Sequence, residues 1–300
     1  MSLLGFLDRS RPADEATSAT LSDALEGFSL EVMPRTAAKI ESFADLLPRG
    51  TRVYIAHIEG TPLDDMVATA RRLAEEGMKV MPHFPARAIK DAAELEEWIL
   101  RYRNEAGVEQ ALLLAGGITK PVGTLTSSID MMETGLFDKH DFKRLHVAGH
   151  PEGNKDIDAD GSTRLVDEAL VWKQGFSEKT DAEMAIATQF VFEAQPIIDW
   201  ANRIRAAGIE LPIHVGIAGP AKLQTMIKFA MACGVGPSLK VLQKRAMDLT
   251  KLMLPYEPTE VAQGLADHMA ANPDSLIKKL HIFPLGGIKA SVDWVDRHTE

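Results

Sequence analysis

A single (β/α)₈ barrel is the fold class the sequence predicts, and three observations point to it. Eight short apolar or β-branched runs recur along the 300 residues. Amphipathic, helix-like stretches separate most neighbours. No Gly-rich loop follows the first run. Alternating strand and helix imply parallel strands joined by right-handed crossovers, and eight such units fit a chain of this length as one barrel. The competing architecture, a doubly wound open sheet, announces itself with a Gly-rich turn after its first strand; this chain reads MPRTAAK at 33–39.

Taken in order, the first strand is FSLEVM (28–33), ended by Pro34. Glu31 interrupts it among Phe28, Leu30, Val32 and Met33. A carboxylate in an apolar strand is costly unless paired, and burial alone raises its pKa, so Glu31 reads as a candidate proton-holding acid. The second strand is RVYIAHI (52–58), followed by PLDDMVATARRLAEEG with apolar residues at helical spacing and a Gly stop. KVMPHF (79–84) precedes the helix DAAELEEWILRYRNEAG. QALLLAG (110–116), RLHVAGH (144–150) and MAIATQFVF (184–192) are strands four to six. The helix AQPIIDWANRIRAAG leads to LPIHVGI (211–217), and KLHIFPL (279–285) is the eighth strand. Residues 235–275 read as wholly helical, extra helices inserted between strands seven and eight. Residues 1–26, polar and rich in Ala and Ser, read as an N-terminal arm or short helix outside a catalytic barrel of 27–300.

Bulk properties exclude several function classes. A formal net charge of −10 opposes binding to a phosphate backbone, which needs a basic stripe. With Cys233 the single cysteine, no internal disulfide can form, which favours a reducing compartment. The first residues make a poor signal peptide and no apolar run reaches membrane-spanning length. The expectation is a cytoplasmic enzyme or small-molecule binder with no nucleic-acid or membrane partner.

Barrel active sites lie at the C-terminal ends of the strands. Those ends carry Glu31, then His57 and Glu59, then His83, then Gly116 and Gly117, then His150, Gln189, His214 with Gly216, and Gly286 with Gly287. Any one histidine in an apolar strand is more often a satisfied core residue than a catalyst, and the Gly pairs suit ordinary turns. His146 and His281, mid-strand, read as structural. What carries the inference is that several strands deliver polar or small residues to one rim. One chemical reading is a metal-dependent hydrolase using Glu31, His57, His83 and His150, although no HxH pair is present. The other is a flavin or pterin site with one carboxyl as proton donor and glycines where backbone approaches a flat ring.

FSLEVMPR, VMPHF, LLLAGG, VAGHPEGN, ATQFVF and HVGIAGP resemble, in order and rough spacing, motifs of the methylenetetrahydrofolate reductase family over about residues 27–290. The resemblance implies a (β/α)₈ barrel that interconverts 5,10-methylenetetrahydrofolate and 5-methyltetrahydrofolate, with FAD relaying hydride from NADH or NADPH. It makes Glu31 the acid for folate N10, Gln189 a pterin contact, and Leu223 the occupant of a position that is often a stacking aromatic. His83 matches a flavin contact and Gly116 the glycine beside the flavin ring. The same resemblance puts Gly117 next to the pterin and His57, Ala115, His150 and Asn154 on the cofactor rim. Asp167 and Lys173 lie on the helix that grips FAD ribose and diphosphate. The chain departs from the pattern at Ala115-Gly116-Gly117, where the family has Arg-Gly-Asp, at Ala56 in place of threonine, and at His150 and Asn154. These changes fall on the cofactor side, so a flavin-free variant and a catalytically inactive folate-binding protein are alternatives. The family is often dimeric or tetrameric, which implies a homo-oligomer.

Overall fold

Parallel strands need a covering layer on their outer face, and the outward residues of the strands here are mostly apolar. In the computed structural model, which describes residues 20–232 and 255–299, eight strands form a closed parallel barrel in sequence order. They are β1 (Ser29–Val32), β2 (Arg52–Ile55), β3 (Lys79–Pro85), β4 (Gln110–Leu114), β5 (Arg144–Gly149), β6 (Glu183–Val191), β7 (Ile213–Ala218) and β8 (Ile277–Phe283). Each expected strand is present within a few residues of its expected bounds. Closure comes from β1, which pairs with β2 on one side and β8 on the other.

Helices cover the outside. Helix Ala92–Ala106 shows why they form where they do. The Asp91 carboxylate accepts hydrogen bonds from the backbone N–H groups of Ala93 and Glu94, and Gly107 ends the helix in the left-handed region at φ 60°. Its buried face, Leu95, Trp98, Ile99, Tyr102 and Ala106, repeats at three- and four-residue spacing. Trp98 and Tyr102 meet Phe84 of β3, which also packs edge-on to Phe137 and Phe142. Leu30, Val32, Val53, Ile55, Val147, Ile186 and Ile282 of the strands join the same outer core.

One stretch agrees with the short helix expected before the barrel, and another differs in part from the sequence expectation. Residues 20–25 are helical, with Leu21, Ala24 and Leu25 buried in the main core, and Thr20 bonds to Asp267 and Gln263 of helix Thr259–Ala271. The packed fold therefore includes residues assigned to the N-terminal arm. In the span expected to be wholly helical, helix Thr259–Ala271 is preceded by an isolated antiparallel bridge between Ala221 and Tyr256. Residues 233–254 of that span lie outside the described residues.

The inside of the barrel is chemically unlike the outside. Tyr54, Met81, Leu112 and Ala187 form a small separate cluster there, with Leu114 against it. Around them stand Ser29, His146, His214 and His281, all buried, on alternate positions of β1, β5, β7 and β8. A parallel barrel closes only with a staggered register. Ser29, two residues before Glu31, is the partner of His281. The middle of β8 therefore lies beside the start of β1, just below Glu31.

Candidate active site

Leu30 and Val32 pack outward, so the intervening Glu31 turns into the barrel mouth, its side chain 18% exposed. His83 Nε2 stands 3.2 Å from its Oε2, outside hydrogen-bonding alignment, so that attraction is electrostatic rather than directional. His281 Nε2 stands 3.9 Å from the same oxygen. Burial pushes the Glu31 carboxyl up, but the charge of His83 and the contacts of both imidazoles together outweigh it and hold the group down at about 2. This corrects the expectation of a raised-pKa acid. The reason is geometric: two imidazoles from β3 and β8 converge on a carboxylate that looks isolated in the linear sequence. The resting group is a carboxylate bracketed by histidines, and burial lowers His281 more than the carboxylate raises it.

Below it runs a column of polar groups. His281 Nδ1 meets Ser29 Oγ at 2.9 Å, and the His281 and Tyr54 rings stack obliquely with centroids 4.3 Å apart. The Tyr54 hydroxyl lies 2.5 Å from His146 Nδ1, and His146 meets His214 edge-on at 4.6 Å. Burial, then the neighbouring His214, Arg52 and Arg144, drive His146 well below the ordinary histidine value. His214 falls to about 3, from burial first and then Arg52, His281, Arg144 and Lys279. Both are neutral at physiological pH. Burial likewise raises the Tyr54 hydroxyl.

The rest of the rim is uneven. At the end of β4, Gly116 has φ 92°, and a Cβ there would lie 2.9 Å from Pro85 Cβ, so only glycine fits without strain. Gly117 has open space around it, and the Ala115 carbonyl accepts from Arg87 N–H at 2.9 Å. The pairing of β6 with β7 shifts register between Ala187 and Phe190, a bulge that leaves Gln189 exposed toward the mouth. The bulge is held by Thr188 Oγ, which accepts from Gly216 N–H at 2.9 Å and donates to the Gln189 carbonyl.

Other expected residues are engaged elsewhere. His57 lies beyond β2 with its ring 5.6 Å from Trp98, lowered by burial and then by His83. His150 falls to about 4 through burial and then Lys173. Lys173 is buried with Nζ 3.4 Å from the Ala148 carbonyl, and burial lowers it to about 8. Asp167 is gripped by both terminal nitrogens of Arg203. Asn154 caps a local turn through Asp156 N–H. Leu223 is buried among Phe190, Phe192, Met226 and Tyr256. The structure thus gathers Glu31 and His83 directly, sets Gln189, Gly116 and Gly117 on the open rim, and turns Asp167 and Leu223 to packing or pairing. Sequence reasoning missed His281, Ser29 and Tyr54. The inward period-two face of each strand carries them, but their level depends on the stagger.

Among the described residues no group of three or more His, Cys, Asp or Glu is arranged to hold a metal ion, so the hydrolase reading has no donor set there. No described helix is long and apolar enough to cross a membrane. No family model matches the chain. The chain is similar in fold to the solved structure of an uncharacterised protein from Clostridium thermocellum that binds two copies of 5-methyl-5,6,7,8-tetrahydrofolic acid. The TM-score is 0.61 over 94% of this chain and 96% of that chain, at 11% identity.

Proposed function

We propose that this protein interconverts 5,10-methylenetetrahydrofolate and 5-methyltetrahydrofolate, with NADH or NADPH as hydride source or acceptor. The observation that carries the reading is Glu31 at the mouth, bracketed by His83 and His281. Opening the methylene bridge of the folate requires a proton at N10, and Glu31, at the mouth between two imidazoles, is the carboxyl through which one would pass. Gln189, exposed on the β6 bulge, offers an amide that can both donate to and accept from a pterin edge. The open space at Gly117 leaves room for a flat ring. The family resemblance and the folate-binding neighbour support the same substrate class.

FAD fits these residues less well. Of the groups assigned to its ribose and diphosphate, Asp167 is already paired with Arg203 and Asn154 is committed to its own turn. Lys173 keeps donors free but is buried. In this reading hydride passes directly between nicotinamide and the folate methylene carbon.

The test is incubation of the purified protein with 5,10-methylenetetrahydrofolate and NADH or NADPH, following nicotinamide oxidation and 5-methyltetrahydrofolate formation, with the visible spectrum recorded first. Colourless protein that turns over is the expected result. A flavin spectrum would overturn the direct-transfer part. Tight folate binding without hydride transfer would replace an enzyme with a binding protein.

A further inference from the structure

The folate reading supplies a carboxyl at Glu31 and an amide at Gln189 but no surface on which the flat face of the pterin can rest. A fused ring held only at its edges is free to tilt, so a directional site needs a wall against the face. Strand β8 provides one. Leu280 and Ile282 join the outer core, so the alternate residues His281 and Phe283 turn into the barrel. Ser29 pairs with His281 and Leu30 with Ile282, so one residue further along both strands Phe283 stands level with Glu31. On its other side Phe283 pairs with Ala218 of β7, and β7 borders the β6 bulge that exposes Gln189. Going round the mouth from Gln189 on β6 to Glu31 on β1, Phe283 on β8 is the ring met between them.

Packing holds that ring in one place. Its centroid lies 4.8 Å from the His281 ring at 82° and 5.4 Å from the Phe190 ring at 69°. It rests against the buried cluster that contains Phe190, Phe192, Leu223 and Tyr256. Its Cε2 occupies the space a side chain at position 216 would need, since a Cβ on Gly216 would lie 2.6 Å from it. Both ring neighbours meet Phe283 nearly edge-on, and among the described residues no ring lies parallel to it. Phe190, Phe192 and Tyr256 are buried, whereas Phe283 is only partly so. A fixed, half-buried ring with no stacked partner, between a carboxylate and an exposed amide, is suited to receive a flat heterocycle.

We propose that Phe283 is the platform on which the pterin of the folate lies, between Glu31 and Gln189. This rests on the folate reading for the identity of the ligand, though not for the seat of the ring. The division of labour is geometric. The face contact with Phe283 fixes the tilt of the pterin, and the Gln189 amide fixes its rotation in the plane. Together they decide whether the arm that carries N10 falls toward Glu31. Phe283 exchanges no proton and no electron in this account; it is a binding residue.

Calorimetric binding of two probes tests it: 5-methyltetrahydrofolate, and 6-methyltetrahydropterin, which keeps the ring and lacks the tail. Phe283→Leu retains an apolar side chain and removes the flat face. We expect it to bind 5-methyltetrahydrofolate roughly 10- to 100-fold more weakly than wild type, the usual worth of a heterocycle stacked on an aromatic side chain. The tail-less pterin should weaken by the same factor, because the lost contact is to the ring. Phe283→Tyr keeps the face and should bind both probes as wild type does. An unchanged affinity for either probe in Phe283→Leu would overturn the platform and leave the folate reading standing. So would an equal loss in Phe283→Tyr, which would assign the effect to packing. Should Phe283→Leu not fold, Phe283→Met also lacks a flat face and is read identically. A wild-type protein that binds neither probe would bring down the folate reading and the platform with it.

Discussion

Four histidines line the described interior of the barrel, and their surroundings divide them into two pairs. At the mouth, His83 and His281 face the Glu31 carboxylate at 3.2 Å and 3.9 Å. At the base, His146 and His214 have each other, a tyrosine and two arginines, but no carboxylate. The same side chain therefore faces a carboxylate at one level and has none beside it at the other. What differs is the partner, since all four are largely buried. Burial lowers His146, His214 and His281 alike, and of these three only His281 has a carboxylate pulling the other way.

The largest expected effect breaks the mouth. Glu31→Gln keeps shape and removes the charge, so folate should still bind while methylene reduction falls by roughly 10²- to 10⁴-fold. Full activity in that variant would remove Glu31 from the chemistry.

The base pair is tested by pH. Because burial depresses His146 and His214 below the ordinary 6.5, the unfolded chain binds more protons than the folded one below that value. Their contribution to stability is complete above about pH 6.5 and is lost as pH falls below it; for His214 the loss runs toward about pH 3, by about 1.4 kcal/mol per pH unit. Glu31 has the same sign lower down, with stability present above 4.5 and lost toward about 2. Urea unfolding between about pH 7 and about pH 5 should show the slope. His214→Gln should flatten it, and an unchanged slope would mean that His214 does not stay neutral.

Much of this was legible in the sequence, for identifiable reasons. Apolar strands alternate with Gly-stopped helices such as Ala92–Ala106, so the barrel could be read from periodicity. Glu31 stood out because it is the one charge in an apolar run. His281 did not stand out, because its place beside Ser29 follows from the β1–β8 register, which exists only once the barrel closes. The sign of the Glu31 shift was misread for the same reason, since both imidazoles arrive from distant strands. The direction of Gln189 depends on a bulge that strict alternation cannot reveal.

That bulge gives two smaller tests. An added Cβ in Gly216→Ala would lie 2.7 Å from the carbonyl oxygens of both Thr188 and Gln189. We expect a loss of about 1–3 kcal/mol in stability, with weakened folate binding as Gln189 is displaced. Wild-type stability would show that the bulge yields freely. Smallest in stability is Gln189→Ala: an exposed residue should change it by less than about 0.5 kcal/mol, while folate affinity drops about tenfold from a lost hydrogen-bond pair. Unchanged affinity by calorimetry would place the pterin elsewhere.

The most direct test of the central claim sets folate binding beside turnover in wild-type protein and Glu31→Gln. The account predicts equal tetrahydrofolate affinity in both, with nicotinamide-dependent 5-methyltetrahydrofolate formation in the wild type alone. Equal turnover in the two proteins, or none in either, would contradict it.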